Sequence, residues 1–394
     1  MSAGIYLHIP FCKSRCSYCD FATDVYRDSG AVERYVDTLC KEIVNFGECY
    51  ALTNVRASAP DCGGPRVSKG LTLHADTIYF GGGTPSLLTP DQVERILKTV
   101  NGKFAVAAAA EITMEMNPAT VTPETLAAFR SLGINRASFG VQTFDDHLLK
   151  LLARGHNASD ARSTFAMLRD AGFDNVSFDL IAGLPGQTLA DWERNLDEAV
   201  RLSPEHMSLY LLEIHEGTPL AEQVRSRRQP TPDPELAAEM YELMLERLAV
   251  AGYEQYEISN FSRPGLASRH NSKYWTLDPV FAFGVSAHSF DGKQRYANER
   301  DTAKYVEMIE NRSSAEVMRE DINLASEFVF LGLRLERGID LGEYARCFGV
   351  DLMQKYETEL SVVKDAGLIE TEGGQLRLTR KGKLFSNEVF AVFV

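Results

Sequence analysis

Residues 111–117 read Glu-Ile-Thr-Met-Glu-Met-Asn, and this stretch has two different faces. Successive side chains of an extended strand point to opposite sides, so Thr113, Glu115 and Asn117 share one face. The isoleucine and the two methionines share the other face. Strands that are buried on both sides in a parallel sheet usually read as continuous apolar runs. A polar face on such a strand therefore predicts a cavity that holds a polar ligand.

The same division recurs in four other predicted strands. Their polar or small positions are Tyr6 and His8, then Ser138, Gly140 and Gln142, then Ser177 and Asp179, and finally Ser208 and Tyr210. Strands are predicted at 5–9, 77–81, 111–117, 136–142, 175–182 and 206–214, with helices at 32–48, 90–100, 123–131, 158–171 and 189–202 between them. Such alternation implies parallel strands joined by right-handed crossovers. We predict an α/β fold built on a partial (β/α)6 barrel of TIM type, with the polar site at the carboxyl ends of its strands. A flat doubly wound sheet is the competing geometry.

The sequence predicts that the whole chain divides into three parts. Residues 1–230 form the barrel, and 231–313 supply a connecting helix and an aromatic, loop-like region that completes its side. Residues 314–394 form a small winged-helix-like α+β domain, with a hairpin that turns at Gly373-Gly374. Residues 50–73 are rich in Ala, Ser, Gly and Pro, which predicts an insertion loop.

Three cysteines follow the first predicted strand, at Cys12, Cys16 and Cys19. A disulfide framework would need an even count and a secreted context, and neither is indicated. The surrounding Pro10 and Asp20 indicate a loop, which argues against a helical core stripe. Structural zinc would need a fourth ligand with matching local spacing. An iron–sulfur cluster normally takes four thiolates, so three would leave one iron open to a small molecule. The open cluster is favoured; zinc and coincidence remain alternatives.

The overall composition is that of an ordinary globular protein, with 394 residues and a net charge of −14. This negative charge argues against a general nucleic-acid binder, which needs a basic surface. No apolar run is long enough to span a membrane, although peripheral contact stays open. Metal-type cysteine spacing without a secretion signal predicts a cytoplasmic location.

A glycine-rich run follows the second strand, with Gly82, Gly83 and Thr84 inside Gly81-Gly-Gly-Thr-Pro85. Glycines let a backbone pass close to a ligand, but a simple strand-end turn also uses them. Further along, the candidate ligand-binding side chains are Glu115, Gln142, Arg154 and Asp179. Two acids, an amide and a guanidinium suit a zwitterionic nucleoside, since arginine can grip a carboxylate with two bonds. Each could equally form an internal salt bridge.

Together these motifs resemble the radical S-adenosylmethionine (radical SAM) family. The runs 6–12 (Tyr-Leu-His-Ile-Pro-Phe-Cys), 138–144 (Ser-Phe-Gly-Val-Gln-Thr-Phe) and 178–188 (Phe-Asp-Leu-Ile-Ala-Gly-Leu-Pro-Gly-Gln-Thr) narrow the likeness. They resemble the oxygen-independent coproporphyrinogen III oxidase superfamily, over nearly the whole chain.

The resemblance implies a set of cofactors. Cys12, Cys16 and Cys19 would bind three irons of a [4Fe-4S] cluster, and S-adenosylmethionine would chelate the fourth. One-electron reduction by a donor such as a flavodoxin or ferredoxin would then cleave the sulfonium. The resemblance places S-adenosylmethionine against Tyr6, Gly82, Gly83, Thr84, Glu115, Gln142, Arg154 and Asp179.

Two branches of that superfamily compete. The oxidase, which decarboxylates coproporphyrinogen III propionates, resembles a C-x3-C-x2-C-x-C pattern, but Phe21 stands at the fourth position here. The heme chaperone (HemW-like) branch is similar in having that phenylalanine and a His-Asn-x-x-Tyr-Trp run, present at 270–275. Membership in this branch implies binding of heme and its transfer to acceptor proteins, with His270 as a candidate heme ligand.

Overall fold

The structure is a computed structural model that describes residues 2–25, 28–47 and 73–393. The insertion predicted at 50–73 therefore lies outside the described residues, apart from Leu73.

The large sheet and its satellites use the following strands: β1 (Ala3–Ile9), β2 (Phe11–Cys12), β3 (Asp24–Val25), β4 (His74–Gly82), β5 (Ala105–Met116), β6 (Arg136–Gln142), β7 (Val176–Ala182), β8 (His206–Leu211), β9 (Glu254–Glu257), β10 (Asn260–Ser262), β11 (Val280–Phe283), β12 (His288–Phe290), β13 (Gln294–Asn298), β14 (Glu316–Asp321), β15 (Ile339–Asp340), β16 (Ile369–Glu372) and β17 (Gln375–Leu378). The α-helices are α1 (Ser29–Asn45), α2 (Pro90–Lys103), α3 (Pro123–Ser131), α4 (Asp146–Leu151), α5 (Ala158–Asp170), α6 (Leu189–Leu202), α7 (Pro219–Arg225), α8 (Pro234–Val250), α9 (Arg269–Trp275), α10 (Thr302–Arg312), α11 (Leu324–Gly332), α12 (Leu341–Phe348), α13 (Leu352–Lys355), α14 (Glu357–Asp365), α15 (Arg380–Leu384) and α16 (Ser386–Phe390). A short 3-10 helix spans Pro85–Leu87.

The predicted α/β fold is confirmed. Within the described residues, twelve strands form one sheet in the order β14-β13-β12-β11-β1-β4-β5-β6-β7-β8-β10-β9. The six predicted strands are β1, β4, β5, β6, β7 and β8; they are adjacent in chain order and pair in parallel. A doubly wound sheet would reverse its strand order midway. The sequential order therefore selects the singly wound, barrel-type arrangement over the flat alternative.

Helix boundaries agree with the sequence where a capping motif defines them. The helices α2, α3 and α6 begin after Thr89, Thr122 and Thr188, and each threonine forms a reciprocal capping box with the third helical residue. Their buried faces carry residues such as Leu97, Phe129 and Trp192, and these side chains belong to one large core that also includes strand residues of β1 and β4–β8.

Within the 231–313 region, the interpretation of the aromatic residues 253–300 as loop-like was wrong. This segment contributes five strands and helix α9, and the strands extend the large sheet on both sides. On one side β11 pairs in parallel with β1, and on the other β10 pairs antiparallel with β8. These strands are three to five residues long, too short to show a clear period of two. They are stabilised by neighbours that are distant in sequence.

The C-terminal part has its own core and its own sheet. Its buried residues run from Val329 to Phe393, and its three strands pair in the order β15-β17-β16. The order of α11, β15, α12–α14 and the β16–β17 hairpin is that of a winged helix, and the hairpin turns at Gly373 and Gly374 as predicted. The division at residue 314 stays a prediction; β14 lies beyond it and still belongs to the large sheet. Among the helices that the structure describes, none has the length and apolar character to cross a membrane.

Candidate functional site

The three cysteines lie on one loop at the carboxyl end of β1. Cys12 ends the short strand β2, which pairs in parallel with β3 and closes the loop at its base. Further along, the Ser17 N–H donates to the Leu152 carbonyl (3.0 Å) and the Ser17 hydroxyl to the Leu151 carbonyl (3.0 Å). These bonds attach the loop to the end of α4, more than 130 residues away. The loop is therefore held by the fold, not by its own sequence.

Each of two cysteine sulfurs has a polar neighbour. The Thr84 hydroxyl donates to Cys12 Sγ (3.5 Å), and the Arg154 guanidinium donates to Cys16 Sγ (3.4 Å). Burial raises the pKa of the Cys12 and Cys19 thiols. All three are free thiols. In the part of the chain that the structure covers, no three His, Cys, Asp or Glu side chains stand in a geometry that could hold a metal ion. The three cysteines thus lie on one loop beside a guanidinium, but their side chains are not arranged as a metal site.

The glycine-rich run packs tightly against the cysteine loop. A Cβ added at Gly83 would lie 2.7 Å from the Pro10 carbonyl, and one at Gly82 would lie 2.7 Å from the His8 ring. The N–H of Gly83 donates to the Ile9 carbonyl (2.8 Å), and that of Gly82 donates to Glu115 (3.1 Å). These amides are used within the protein. The glycines thus serve close packing between β1 and β4, which holds the cysteine loop against the sheet.

The polar strand faces meet around one cavity of about 210 Å³. The residues that line it are Tyr6, Tyr79, Glu115, Arg136, Ser138, Asp179, His206, Ser208, Tyr210, Asn260, Ser268, His270, Asn271 and Tyr274. Of the side chains proposed from the sequence, Tyr6, Glu115, Asp179 and His270 belong to this wall. The period-two reading of the strands therefore predicted the cavity.

The two acids of the cavity are half-buried. Glu115 accepts hydrogen bonds from the Tyr79 hydroxyl (2.8 Å) and the Gly82 N–H (3.1 Å). Burial, opposed by the Tyr79 bond and reinforced by the nearby Asp179 carboxylate, raises the pKa of Glu115 to about 7. Burial also raises the pKa of Asp179, although a hydrogen bond with Ser208 counteracts it. Both carboxyls would gain from a cationic or hydroxyl-bearing ligand, which would replace lost hydration.

Gln142 and Arg154 lie at the cysteine end of the sheet, away from the cavity lining. Nη2 of Arg154 donates to Asn117 Oδ1 (2.7 Å) and to the Gly140 carbonyl (2.7 Å). The Gln142 backbone is left-handed (φ 66°), and its side chain folds back over Gly140. Arg154 thus connects the ends of β5 and β6 to Cys16.

His270 is buried among aromatic and hydroxyl side chains. Its ring stacks with that of Tyr79 at 5.0 Å and lies 6.4 Å from that of Tyr6. Nδ1 lies 2.8 Å from the Thr77 hydroxyl and Nε2 lies 3.2 Å from the Tyr274 hydroxyl. Burial, together with the positive charges of Lys273 and Arg136, lowers the pKa of His270 to about 3. The ring is therefore neutral and joins α9 to β4.

The sequence interpretation missed several cavity residues. Tyr79, Arg136 and His206 were not proposed as site residues, although all line the wall. Arg136 and Tyr79 lie on the polar faces of β6 and β4. Counting every second residue along each of these strands would therefore have identified them. His206 lies on the polar face of β8 with Ser208 and Tyr210, so the same count would have found it.

The chain matches two protein-family profiles and is similar in sequence to several known proteins. Residues 71–199 match the profile of the Radical SAM superfamily, and residues 320–385 match that of the HemN C-terminal domain. The heme chaperone HemW of Bacillus subtilis (strain 168) is 34% identical over 395 residues, which cover 99% of this chain and 98% of that protein. The mitochondrial radical S-adenosyl methionine domain-containing protein 1 of Bos taurus is 36% identical over 350 residues, which cover 86% of this chain and 74% of that protein.

A solved structure has the same fold. Coproporphyrinogen III oxidase (HemN) from Escherichia coli, a radical SAM enzyme, aligns with a TM-score of 0.83 at 22% identity, over 100% of this chain and 90% of that chain. At this identity the likeness establishes the fold alone. Identity above 30% along nearly complete chains goes further: this chain belongs to the radical SAM family, in the heme chaperone (HemW) branch of the coproporphyrinogen III oxidase-like superfamily.

Proposed function

We propose that this protein is a heme chaperone that binds heme and passes it to acceptor proteins, and that it carries a [4Fe-4S] cluster and S-adenosylmethionine. The observation that carries the proposal is end-to-end similarity to relatives named heme chaperones, with Phe21 following the cysteine triplet. An electron donor such as a flavodoxin or ferredoxin would be a further partner. We place this activity in the reducing cytoplasm, where thiolates stay available to iron.

The cysteine loop fits an iron–sulfur cluster in donor chemistry. Cys12, Cys16 and Cys19 would supply three thiolates, the ligands such clusters take. The Arg154 guanidinium, 3.4 Å from Cys16 Sγ, would offset part of the negative charge of a thiolate-ligated cluster. When bound, the cluster and S-adenosylmethionine supply one-electron chemistry.

Around S-adenosylmethionine the protein's own groups have distinct proposed tasks. Tyr6 would give an aromatic wall, and Glu115 and Asp179 would accept ribose hydroxyls or an ammonium group. Gln142 and Arg154 would hold the polar end beside the cysteines. Gly82, Gly83 and Thr84 would complete the wall, although their amides already serve the protein. The support is that Tyr6, Glu115 and Asp179 line one cavity, and that Arg154 contacts Cys16 on the cysteine loop.

The coproporphyrinogen III oxidase is the second candidate, favoured by the shared fold. Phe21 argues against it, because the oxidase motif has cysteine there. Phe21 is 67% exposed, so its side chain does not pack in the core. We infer that the position lies free beside the cysteine loop, where a fourth thiol could have been used.

One anaerobic experiment separates the two candidates. Reconstituted protein is loaded with heme and mixed with an apo heme protein, and transfer is followed by the visible spectrum. In parallel, coproporphyrinogen III is supplied with reductant and S-adenosylmethionine. We expect heme transfer and no protoporphyrinogen. Decarboxylated product would overturn the assignment in favour of the oxidase.

The cluster is tested by a double substitution, Cys12→Ala with Cys16→Ala. We expect the visible absorption of a [4Fe-4S] cluster to be lost after anaerobic reconstitution, because one cysteine cannot hold it. Cys40→Ala is the matched control, since Cys40 is also a half-buried free thiol but lies on α1. An intact spectrum in the double variant would refute the ligand assignment.

A further inference from the structure

A bound heme would have to lie outside the cavity of this protein. The cavity volume of about 210 Å³ is below the roughly 300–1,000 Å³ of pockets that enclose drug-sized molecules, so a tetrapyrrole does not fit inside. His270 lines this cavity, is only 2% exposed, and has a hydroxyl group next to each ring nitrogen. An axial ligand needs an unoccupied ring nitrogen that the iron can reach. An accessible histidine at the surface meets this requirement better than His270 does.

The eight histidines of the chain fall into two groups. In the first group the residue is buried and its ring is hydrogen-bonded inside the protein: His8, His156, His206 and His270. In the second group the residue is exposed: His74, His147, His215 and His288. Among the hydrogen bonds between described residues, one of these exposed rings is fixed by the backbone, and it is that of His288. His288 is therefore the exposed histidine with a defined ring orientation.

The ring of His288 has the arrangement that metal-binding histidines use. Its Nδ1 lies 2.8 Å from the Ser286 carbonyl, and a carbonyl only accepts, so Nδ1 carries the proton. The lone pair of the neutral ring is then on Nε2, and no described residue forms a hydrogen bond or ion pair with that atom. In protein metal sites the second ring nitrogen usually donates in this way, which fixes the tautomer and the ring. Nε2 is thus available to a metal ion that approaches from solvent.

The backbone before His288 is held next to the cysteine loop. A turn leads from the end of β11 to β12, and β11 runs parallel to β1, so this turn lies at the same sheet edge as the loop that follows β1. The Ser286 N–H donates to the Glu299 carbonyl (2.8 Å). The next residue, Arg300, donates to the Asp20 carbonyl (2.7 Å). Two successive residues thus connect the turn that precedes His288 to the cysteine loop.

A second contact reaches the cysteine loop through His8. Burial lowers the pKa of His8; a hydrogen bond with Ala22 opposes this effect, and the charge of a protonated His288 adds to it. The rings of His8 and His288 therefore lie near each other. Nε2 of His8 in turn lies 2.9 Å from the Ala22 carbonyl on the cysteine loop.

Phe21 stands between the two residues that these contacts reach. Its neighbours in the chain are Asp20 and Ala22, and its side chain is 67% exposed. Aromatic rings pack well against other flat aromatic surfaces, and burial of their apolar area is favourable. An exposed phenyl ring and an available imidazole nitrogen on one surface are the two features that a porphyrin with a central iron requires.

We propose that Nε2 of His288 is an axial ligand of heme, and that the porphyrin packs against the exposed ring of Phe21. The inference rests on the proposed function and gives heme a place on this surface. The bond forms when the Nε2 lone pair enters an open axial position of the iron, so no proton or electron is transferred. Heme would then lie at the same edge of the sheet as the cysteines.

The ligand is tested by titrating full-length protein with ferric heme under anaerobic conditions and recording the visible spectrum. The variants are His288→Ala and, as matched control, His215→Ala, which removes another exposed histidine ring. We expect the control to keep the affinity and the Soret position of the wild type. His288→Ala should bind heme at least about tenfold more weakly and shift the Soret band.

Chemical rescue separates ligation from a structural role of the ring. Free imidazole added to heme-loaded His288→Ala should restore the wild-type spectrum, because it can occupy the open axial position. His288→Met supplies a thioether, which is also a heme ligand, and should keep part of the affinity with a different spectrum. This variant covers the case that the alanine variant does not fold. Phe21→Ser should weaken heme binding without moving the Soret band.

Each contrary result has a defined meaning. Unchanged affinity and spectrum in His288→Ala, with heme still bound, would overturn the ligand assignment and leave the proposed function intact. Failure of imidazole to restore the spectrum would do the same. A spectral change in His270→Gln in place of His288→Ala would assign the iron to the buried histidine. Equal heme affinity in Phe21→Ser and wild type would remove Phe21 from the site. Absence of heme binding by the wild type would overturn the proposed function itself, and this inference with it.

Discussion

At the scale of single residues, burial and not residue type decides how the titratable groups behave. Glu42 shows this clearly, because it lies on α1 and accepts hydrogen bonds from three groups of the 284–305 region. These donors are the Tyr305 hydroxyl (2.6 Å), the Asn298 amide (2.6 Å) and the Gly284 N–H (2.8 Å). Burial outweighs them and raises the pKa of Glu42 to about 7.

This shift predicts a pH dependence of stability. A carboxyl with a pKa near 4.5 when unfolded and about 7 when folded binds its proton more tightly in the folded state. Its contribution is complete below pH 4.5 and is lost as the pH rises through 7, by on the order of 3 kcal/mol. Glu42→Gln should remove this dependence. The measurement is urea denaturation of wild type and variant from pH 5 to 8. Glu115 titrates in both proteins, so its effect cancels in the difference between their free energies of unfolding. A difference in unfolding free energy that does not change with pH would contradict the prediction.

His270 provides a second prediction at this scale. Axial ligation of heme would require Nε2 to leave the Tyr274 hydroxyl, which lies 3.2 Å away. If His270 is a ligand, Tyr274→Phe frees this nitrogen and should tighten heme binding, whereas His270→Gln should weaken it and change the heme spectrum. Heme titrations followed by absorption measure both effects. Unchanged affinity and spectrum in His270→Gln would show that the histidine only joins α9 to the sheet.

At the scale of elements, the end of β6 depends on a glycine, Gly140, which leaves room for two neighbouring side chains. A Cβ added at Gly140 would collide with Nε2 of Gln142 and would lie 3.2 Å from Nη2 of Arg154. Both obstacles are the far ends of long side chains, which can move aside. Gly140→Ala should therefore change stability by less than about 1 kcal/mol while displacing Gln142 and Arg154. We expect at least tenfold weaker binding of S-adenosylmethionine, measured by calorimetry on reconstituted protein.

Gly102→Ala is the matched control for that substitution. Gly102 lies in α2, and a Cβ there meets nothing within 4 Å. Alanine should stabilise the helix by about 0.5–1 kcal/mol and leave ligand binding unchanged. Equal ligand affinity in both variants would mean that Gln142 and Arg154 do not form the proposed site.

Elements differ in how well the sequence predicts them. The bounds of α3, α6 and β6 agree with the prediction to the residue, because capping threonines, proline at the first turn and alternating faces act locally. The short helix α4 (Asp146–Leu151) was missed, since one and a half turns show no period. The Cys triplet and the polar strand faces were likewise visible as local patterns.

At the scale of the whole molecule, the C-terminal unit is attached near the cavity through α9. Arg334 donates to Glu257 (3.2 Å), whose side chain is fully buried, and its guanidinium carbon lies 4.3 Å from the centre of the Trp275 ring. Trp275 ends the helix that carries His270 and Tyr274. The C-terminal unit thus contacts the helix that forms one wall of the cavity.

This contact predicts coupling between the units. Arg334→Met should lower the free energy of unfolding by about 2–4 kcal/mol, because it leaves Glu257 buried with one partner fewer and removes the stacked cation from Trp275. Urea denaturation followed by tryptophan fluorescence measures the change. Arg337→Met, three residues on and exposed, is the control and should have little effect. Equal stability of the two variants would show that Arg334 does not secure the units to each other.

The sequence by itself determined the order of strands and helices, the polar faces and the cysteine loop. These features depend on residues that are near each other in the chain, through caps, turns and a period of two. Only the tertiary structure decided that β10 and β11 extend the sheet, that α9 brings His270 and Tyr274 to the cavity, and that the buried charge of Arg136 acts on Glu115 and Asp179. These depend on contacts between residues far apart in sequence and on the burial that follows, because a charge is costly or satisfied only according to what surrounds it.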